Sequence, residues 1–115
     1  MNFLKFLIVF IMLNFFNNLF GQNTSQDLAA IVNDGALLVD VRTPQEFAEG
    51  SVKGAVNIPL DKVQSQLAKF KGKKHIIVFC RSGNRSGQAL SILKQNGFEN
   101  AVNGGIWQNV KQFVH

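Results

Sequence analysis

The single cysteine of the chain, Cys80, stands where the apolar run His75-Ile76-Ile77-Val78-Phe79 gives way to Arg81-Ser82-Gly83-Asn84-Arg85-Ser86. A thiol is chemically quiet until it loses its proton, and with an ordinary pKa of about 8.5 only about 3% is thiolate at neutral pH. Three features of this stretch push toward the anion. Backbone N–H groups of a tight Gly/Ser loop can converge on the sulfur, a helix starting near Ser86 directs its positive end at the loop, and Arg81 and Arg85 add formal charge. Lowering the pKa by two units needs about 2.7 kcal/mol, within reach of several donors and a helix terminus acting together. The plain alternative is a buried cysteine closing a strand. Two arginines beside such a thiol argue against it, because they call for an anion.

The class of substrate follows from what is missing around the thiol. A cysteine hydrolase needs a histidine base, yet His75 lies five residues upstream on the same strand, about 16 Å away along it, and His115 is the last residue. An anion-binding loop without a base suits substrates that bring their own charge and a good leaving group, such as thiosulfate or phosphate esters. One cysteine and two histidines without ligand spacing give no metal site, and no cofactor motif is present.

Around this loop, helix-like and strand-like segments alternate. Thr24 or Ser25 can cap a helix through Asn33 with Leu28, Ile31 and Val32 inward, and residues 36–41 (ALLVDV) read as a buried strand. Thr43-Pro44-Gln45-Glu46 has the form of a capping box with proline at the first helical position, opening a short helix to Glu49. A second strand spans 55–58 and ends at Pro59. Val63, Leu67 and Phe70 then have helical spacing from a cap at Asp61, and residues 75–79 read as a central strand covered on both faces. A helix over 86–96, a brief strand over 100–102, a turn at Gly104-Gly105 and a last helix carrying Trp107, Val110 and Phe113 complete the chain. Strands separated by helices imply a parallel α/β sheet with ligands bound beyond the carboxyl ends of its strands, where Cys80 lies.

The N-terminal part reads differently. Lys5 is the only charge before Asp27, and residues 6–13 (FLIVFIML) are an unbroken apolar run, too short for a spanning helix and suited to the core of an export signal. Residues 1–21 are therefore expected to be a signal peptide, with an uncleaved membrane anchor as the alternative, leaving one compact domain over 22–115 in the periplasm or otherwise exported. No cysteine follows the run, which argues against a lipoprotein signal. An exported domain of this size often relies on disulfides, but Cys80 has no partner in the chain. The net charge of +5 is spread along the sequence apart from Lys69, Lys71, Lys73 and Lys74, which read as a solvated turn rather than a nucleic-acid patch.

The segment Cys80-Arg81-Ser82-Gly83-Asn84-Arg85-Ser86 resembles the active-site loop of the rhodanese family of sulfurtransferases, with its pattern C-R-x-G-x-R. Leu38-Val39-Asp40-Val41-Arg42 with Pro44, Glu46 and Phe47, Gly54-Ala55-Val56-Asn57-Ile58-Pro59, Gly87, Ala89, Gly97-Phe98 and Gly104-Gly105 with Trp107 extend the resemblance in order and spacing. Length and expected export are similar to the small periplasmic phage-shock sulfurtransferases. The resemblance implies a three-layer fold with a central parallel sheet of four or five strands. It also implies a reaction in which Cys80 attacks the outer sulfur of thiosulfate, expels sulfite and holds a persulfide until a thiophile such as cyanide or a thiol removes it. The backbone amides of Arg81, Ser82, Gly83, Asn84, Arg85 and Ser86 would cradle that sulfur, and Arg81 and Arg85 would attract the donor anion, unless one of them pairs with a nearby carboxylate. Asp40 and Arg42 would organise the loops at the strand ends. Related phosphatases and arsenate reductases have one residue more in the loop, so its length here favours sulfur. A sulfur-carrier or redox-sensing module that hands its persulfide to a partner protein is the alternative to an enzyme. Two departures stand out: Ser51 lies in the region where the family often has histidine, and the polar stretch 22–26 does not read as a first strand.

Overall fold

The computed structural model describes residues 25–115, so the expectation of a signal peptide over 1–21 lies outside the described residues. The elements are α1 (Ser25–Asn33), β1 (Leu37–Asp40), α2 (Pro44–Glu49), β2 (Val56–Asn57), α3 (Leu60–Val63), a 3-10 segment (Gln64–Phe70), β3 (Ile76–Cys80), α4 (Asn84–Gln95), β4 (Ala101–Ile106) and α5 (Trp107–Lys111). The four strands form one parallel sheet in the order β2-β1-β3-β4. Of the four or five strands expected, four are present among the described residues, and no helix among them is long and apolar enough to cross a membrane.

The period-two pattern of β3 places its side chains alternately on two cores. Ile76, Val78 and Cys80 join Val39, Val41, Val63, Phe70, Ala89 and Leu93 on the face covered by α3, the 3-10 segment and α4. Ile77 and Phe79 join Leu28, Leu38, Val52 and Val110 on the face covered by α1 and α5. All five residues of β3 are buried, as a central parallel strand covered on both faces requires. The same alternation turns Cys80 toward α4.

Three local expectations are corrected. Asp61 caps nothing: α3 begins at Leu60 behind an extended Pro59, whose position is set as Leu60 N–H bonds the Val41 carbonyl at 3.0 Å, and the following turn tightens to 3-10 geometry. The backbone breaks at Gln66, with φ of −123° and ψ of 31°, yet Val63, Leu67 and Phe70 still pack into the core, so their spacing read as one continuous helix. The long helix starts at Asn84 rather than Ser86. Gly104-Gly105 is part of β4, which runs on to Ile106 with a register shift that pairs Val78 with Asn103 and Phe79 with Gly105. A Cβ on Gly104 would lie 2.7 Å from Val110 Cγ2 and 2.8 Å from Ile77 Cγ2, so the glycine is there to let α5 close onto the sheet.

Candidate active site

At the carboxyl end of β3 the chain turns sharply through Gly83, whose φ of 94° lies in the left-handed region that suits glycine, and α4 starts at the next residue. No side chain caps that helix. Its first N–H groups are therefore left to the sulfur: Gly83 N–H donates to Cys80 Sγ at 3.0 Å and Ser86 N–H at 3.4 Å, while the thiol donates to Ser86 Oγ at 3.3 Å. Ser86 Oγ in turn donates to the Gly83 carbonyl at 3.1 Å. On ionisation of the thiol, the Ser86 hydroxyl can turn its hydrogen from that carbonyl to the sulfur.

Burial, the largest influence on Cys80, pushes its pKa up; the Ser86 hydroxyl and the backbone N–H groups of Ser86, Ser82 and Gly83 outweigh it, and the thiol is more acidic than ordinary. The residue has no exposed surface. Arg81 and Ser82, which follow it in the loop, are exposed, and Arg81 engages no partner among the described residues.

Arg85 is placed otherwise. Its Nη1 and Nη2 donate to Glu46 Oε1 at 2.6 Å and Oε2 at 2.9 Å, the carboxylate partnership that the sequence left open for one of the two arginines. The Arg85 bonds, followed by the Thr43 backbone N–H, hold the Glu46 carboxyl down at about 2. Glu46 also completes the capping box of α2, accepting from Thr43 N–H at 3.1 Å while Thr43 Oγ1 accepts from Glu46 N–H. One carboxylate thus ties the start of α2 to the cysteine loop. Asn84, at the first position of α4, is exposed, and its Oδ1 accepts from Gln88 at 3.4 Å.

Asp40 and Arg42 form a buried pair at the end of β1. Arg42 Nε donates to both Asp40 oxygens at 3.0 Å, and Nη2 donates to Asp40 Oδ2 at 2.7 Å and to the Gly50 carbonyl at 2.6 Å. Ser51, where histidine was the family expectation, donates from Oγ to Asp40 Oδ2 at 2.7 Å. Asn57 from β2 donates to the Asp40 and Arg42 carbonyls, both at 2.9 Å. The Arg42 guanidinium carbon lies 5.2 Å from the Trp107 ring centroid.

Sequence reasoning missed Asn103. Through the β4 irregularity its Oδ1 accepts from Gly105 N–H at 2.8 Å while Nδ2 reaches the Gly83 carbonyl at 3.4 Å, holding the peptide next to the one that faces the sulfur. No local motif marks this residue; only the register shift brings it under the loop. His75 is not part of the site: at the opposite end of β3, its Nε2 sits 2.8 Å from Asp34, which Lys74 also contacts at 2.7 Å. The Lys74 hydrogen bond, then that of His75, lowers the Asp34 pKa. Among the described residues no group of three potential ligands could hold a metal ion.

A cleft of about 350 Å³ adjoins the loop, lined by Arg42, Glu46, Glu49, Gly50, Arg81, Trp107 and Gln108. What the arrangement can do is hold an anionic sulfur on Cys80 with neutral backbone donors, next to a polar cleft of mixed charge.

The profile of the Rhodanese-like domain matches residues 24–108. A protein of Allochromatium vinosum named sulfurtransferase is 35% identical over 92 residues, covering 78% of this chain and 84% of the relative. The Escherichia coli protein named thiosulfate sulfurtransferase PspE is 38% identical over 69 residues, covering 58% of this chain and 66% of that protein. Among solved structures, a rhodanese with anions from E. coli superposes with a TM-score of 0.60 at 34% identity, covering 65% of this chain and 91% of that one.

Proposed function

Because this chain belongs to the rhodanese family, on a domain match over residues 24–108 and a sulfurtransferase relative spanned over most of its length, we propose that it moves a sulfane sulfur from thiosulfate, or from a persulfide donor, to a thiophile such as cyanide or a thiol. Cys80 thiolate attacks the outer sulfur of thiosulfate; the S–S bond of the donor breaks, sulfite leaves with the electron pair, and Cys80 carries a persulfide. A thiophile then attacks the outer sulfur of that persulfide, and the electron pair returns to Cys80 Sγ as thiolate. No cofactor enters either step.

The observation that carries the reading is the convergence of Gly83 N–H and Ser86 N–H on Sγ at the uncapped start of α4. Donors already aimed at the sulfur stabilise a thiolate, and the persulfide anion after it, without reorganisation. Arg81 supplies the uncommitted positive charge that draws a dianionic donor, while Arg85 holds the loop through Glu46. Since Cys80 has no exposed surface at rest, the donor reaches it only as its surroundings open. Thiocyanate formation from thiosulfate and cyanide tests the reading. Native protein should turn over and Cys80→Ala should give none; equal signals from the two would refute it.

The same burial favours a second reading, a sulfur carrier that shields its persulfide until a partner protein accepts it. Slow turnover with free thiophiles, together with stoichiometric loading of about 32 Da lost on treatment with dithiothreitol, would favour the carrier. We further propose that residues 1–21 direct export to the periplasm and are removed; the N-terminal sequence of protein recovered from periplasmic and cytoplasmic fractions tests this.

A further inference from the structure

The cleft beside the cysteine loop is much larger than a thiosulfate or cyanide ion needs. At about 350 Å³ it falls at the lower end of the range of roughly 300–1,000 Å³ that holds organic ligands. Its charges sort by whether they are already engaged. Arg42 is held by Asp40 and the Gly50 carbonyl, and Glu46 by Arg85. Arg81, on the loop directly after Cys80, and Glu49, on the last turn of α2, both line the cleft, are exposed, and engage no partner among the described residues. The cleft therefore offers one uncommitted cation and one uncommitted anion, with Trp107 as an apolar wall.

We infer that this cleft is the acceptor subsite, and that the acceptor it fits is a small zwitterionic thiol of amino-acid type, its carboxylate on Arg81 and its ammonium on Glu49. The inference rests on the sulfurtransferase reading and deepens it. Sγ itself is buried, whereas the outer sulfur of a Cys80 persulfide stands about 2 Å farther along the S–S bond. The acceptor's body then meets the groups beyond the backbone cradle, and those groups decide which thiol is accepted. In the transfer the acceptor thiolate attacks the outer sulfur, a new S–S bond forms on the acceptor, the Cys80 S–S bond breaks, and its electron pair stays on Sγ; the acceptor departs as a hydropersulfide after taking one proton from solvent.

The test starts from full-length protein loaded with thiosulfate, the gain of about 32 Da being measured by intact mass. Discharge is then followed with L-cysteine, cysteamine and 3-mercaptopropionate at equal thiolate concentration, and with cyanide. L-cysteine should discharge the persulfide at least about 10-fold faster than either singly charged analogue, a difference of about 1.4 kcal/mol. Glu49→Gln should narrow the ratio of L-cysteine to 3-mercaptopropionate, and Arg81→Gln the ratio of L-cysteine to cysteamine. Equal rates for the three thiols, or ratios that neither substitution moves, overturn the inference while loading and cyanide discharge leave the sulfurtransferase reading standing. Failure of Cys80 to load from any sulfane donor overturns both.

Discussion

The carboxyl ends of β1 and β3 are neighbours in the sheet and each leads into a helix, but they satisfy the helix N-terminus in opposite ways. At the end of β1 the work is done by side chains: Thr43 and Glu46 close a capping box on α2, Asp40 grips Arg42, and Asn57 takes two carbonyls. At the end of β3 no side chain caps α4, and the N–H groups of Gly83 and Ser86 meet the sulfur of Cys80 instead. A helix start that provides its own oxygen has little left for a ligand. The one left open is the one that can hold an anion, and glycine at Gly83 supplies the turn without filling the space.

The largest effect should come from breaking the side-chain end. Asp40→Ala leaves the buried Arg42 guanidinium without its carboxylate and should cost about 3–5 kcal/mol, read from the urea midpoint. Next, Gly104→Ala forces a methyl between Val110 and Ile77 at separations of 2.7 and 2.8 Å and should cost about 1–3 kcal/mol in the same measurement. Since the β4 irregularity places Asn103 against the Gly83 carbonyl, the substitution should also raise the pH midpoint of Cys80 alkylation by iodoacetate. A closer comparison sets Thr43→Ala against Ser86→Ala. Each should cost about 1 kcal/mol, yet only Ser86→Ala should move the alkylation midpoint, upward, because it removes the hydroxyl hydrogen bond, the strongest of the influences that lower the Cys80 pKa, while the backbone N–H stays. An equal shift from Thr43→Ala would erase the distinction between the two strand ends.

The smallest effect is the pH dependence of the bond between them. Glu46 titrates at about 2 in the folded chain against 4.5 ordinarily, so the unfolded chain takes up its proton first as acid is added. The stabilisation is whole above about pH 4.5 and is lost as pH falls toward about 2. Partly exposed to solvent, the Glu46–Arg85 pair should contribute about 0.5–1 kcal/mol, measured as the difference in acid unfolding between native protein and Glu46→Gln.

Much of this was legible in the residues. The apolar run before Cys80, the capping box and the glycine-rich loop are local signals, and each predicted its element to within a residue or two. Gly104-Gly105 read as a turn because glycine pairs break most strands; here the contact with α5 kept them in β4. The shortness of α3 was hidden because the break at Gln66 leaves Val63, Leu67 and Phe70 packed into the core, where their spacing reads as one helix. For the site, the loop announced its sulfur, but not which arginine stayed uncommitted.

Spacing and residue type, acting over a few positions, determined that one thiol would sit at the end of a buried central strand beside a glycine-bearing turn into a helix. Which charges meet was decided only in the tertiary structure: Glu46 reaches Arg85 across 39 positions, and Asn103 reaches Gly83 across 20. Such partnerships depend on the register of β1 and β4 against β3, and register is fixed by how whole faces pack rather than by any short run of residues.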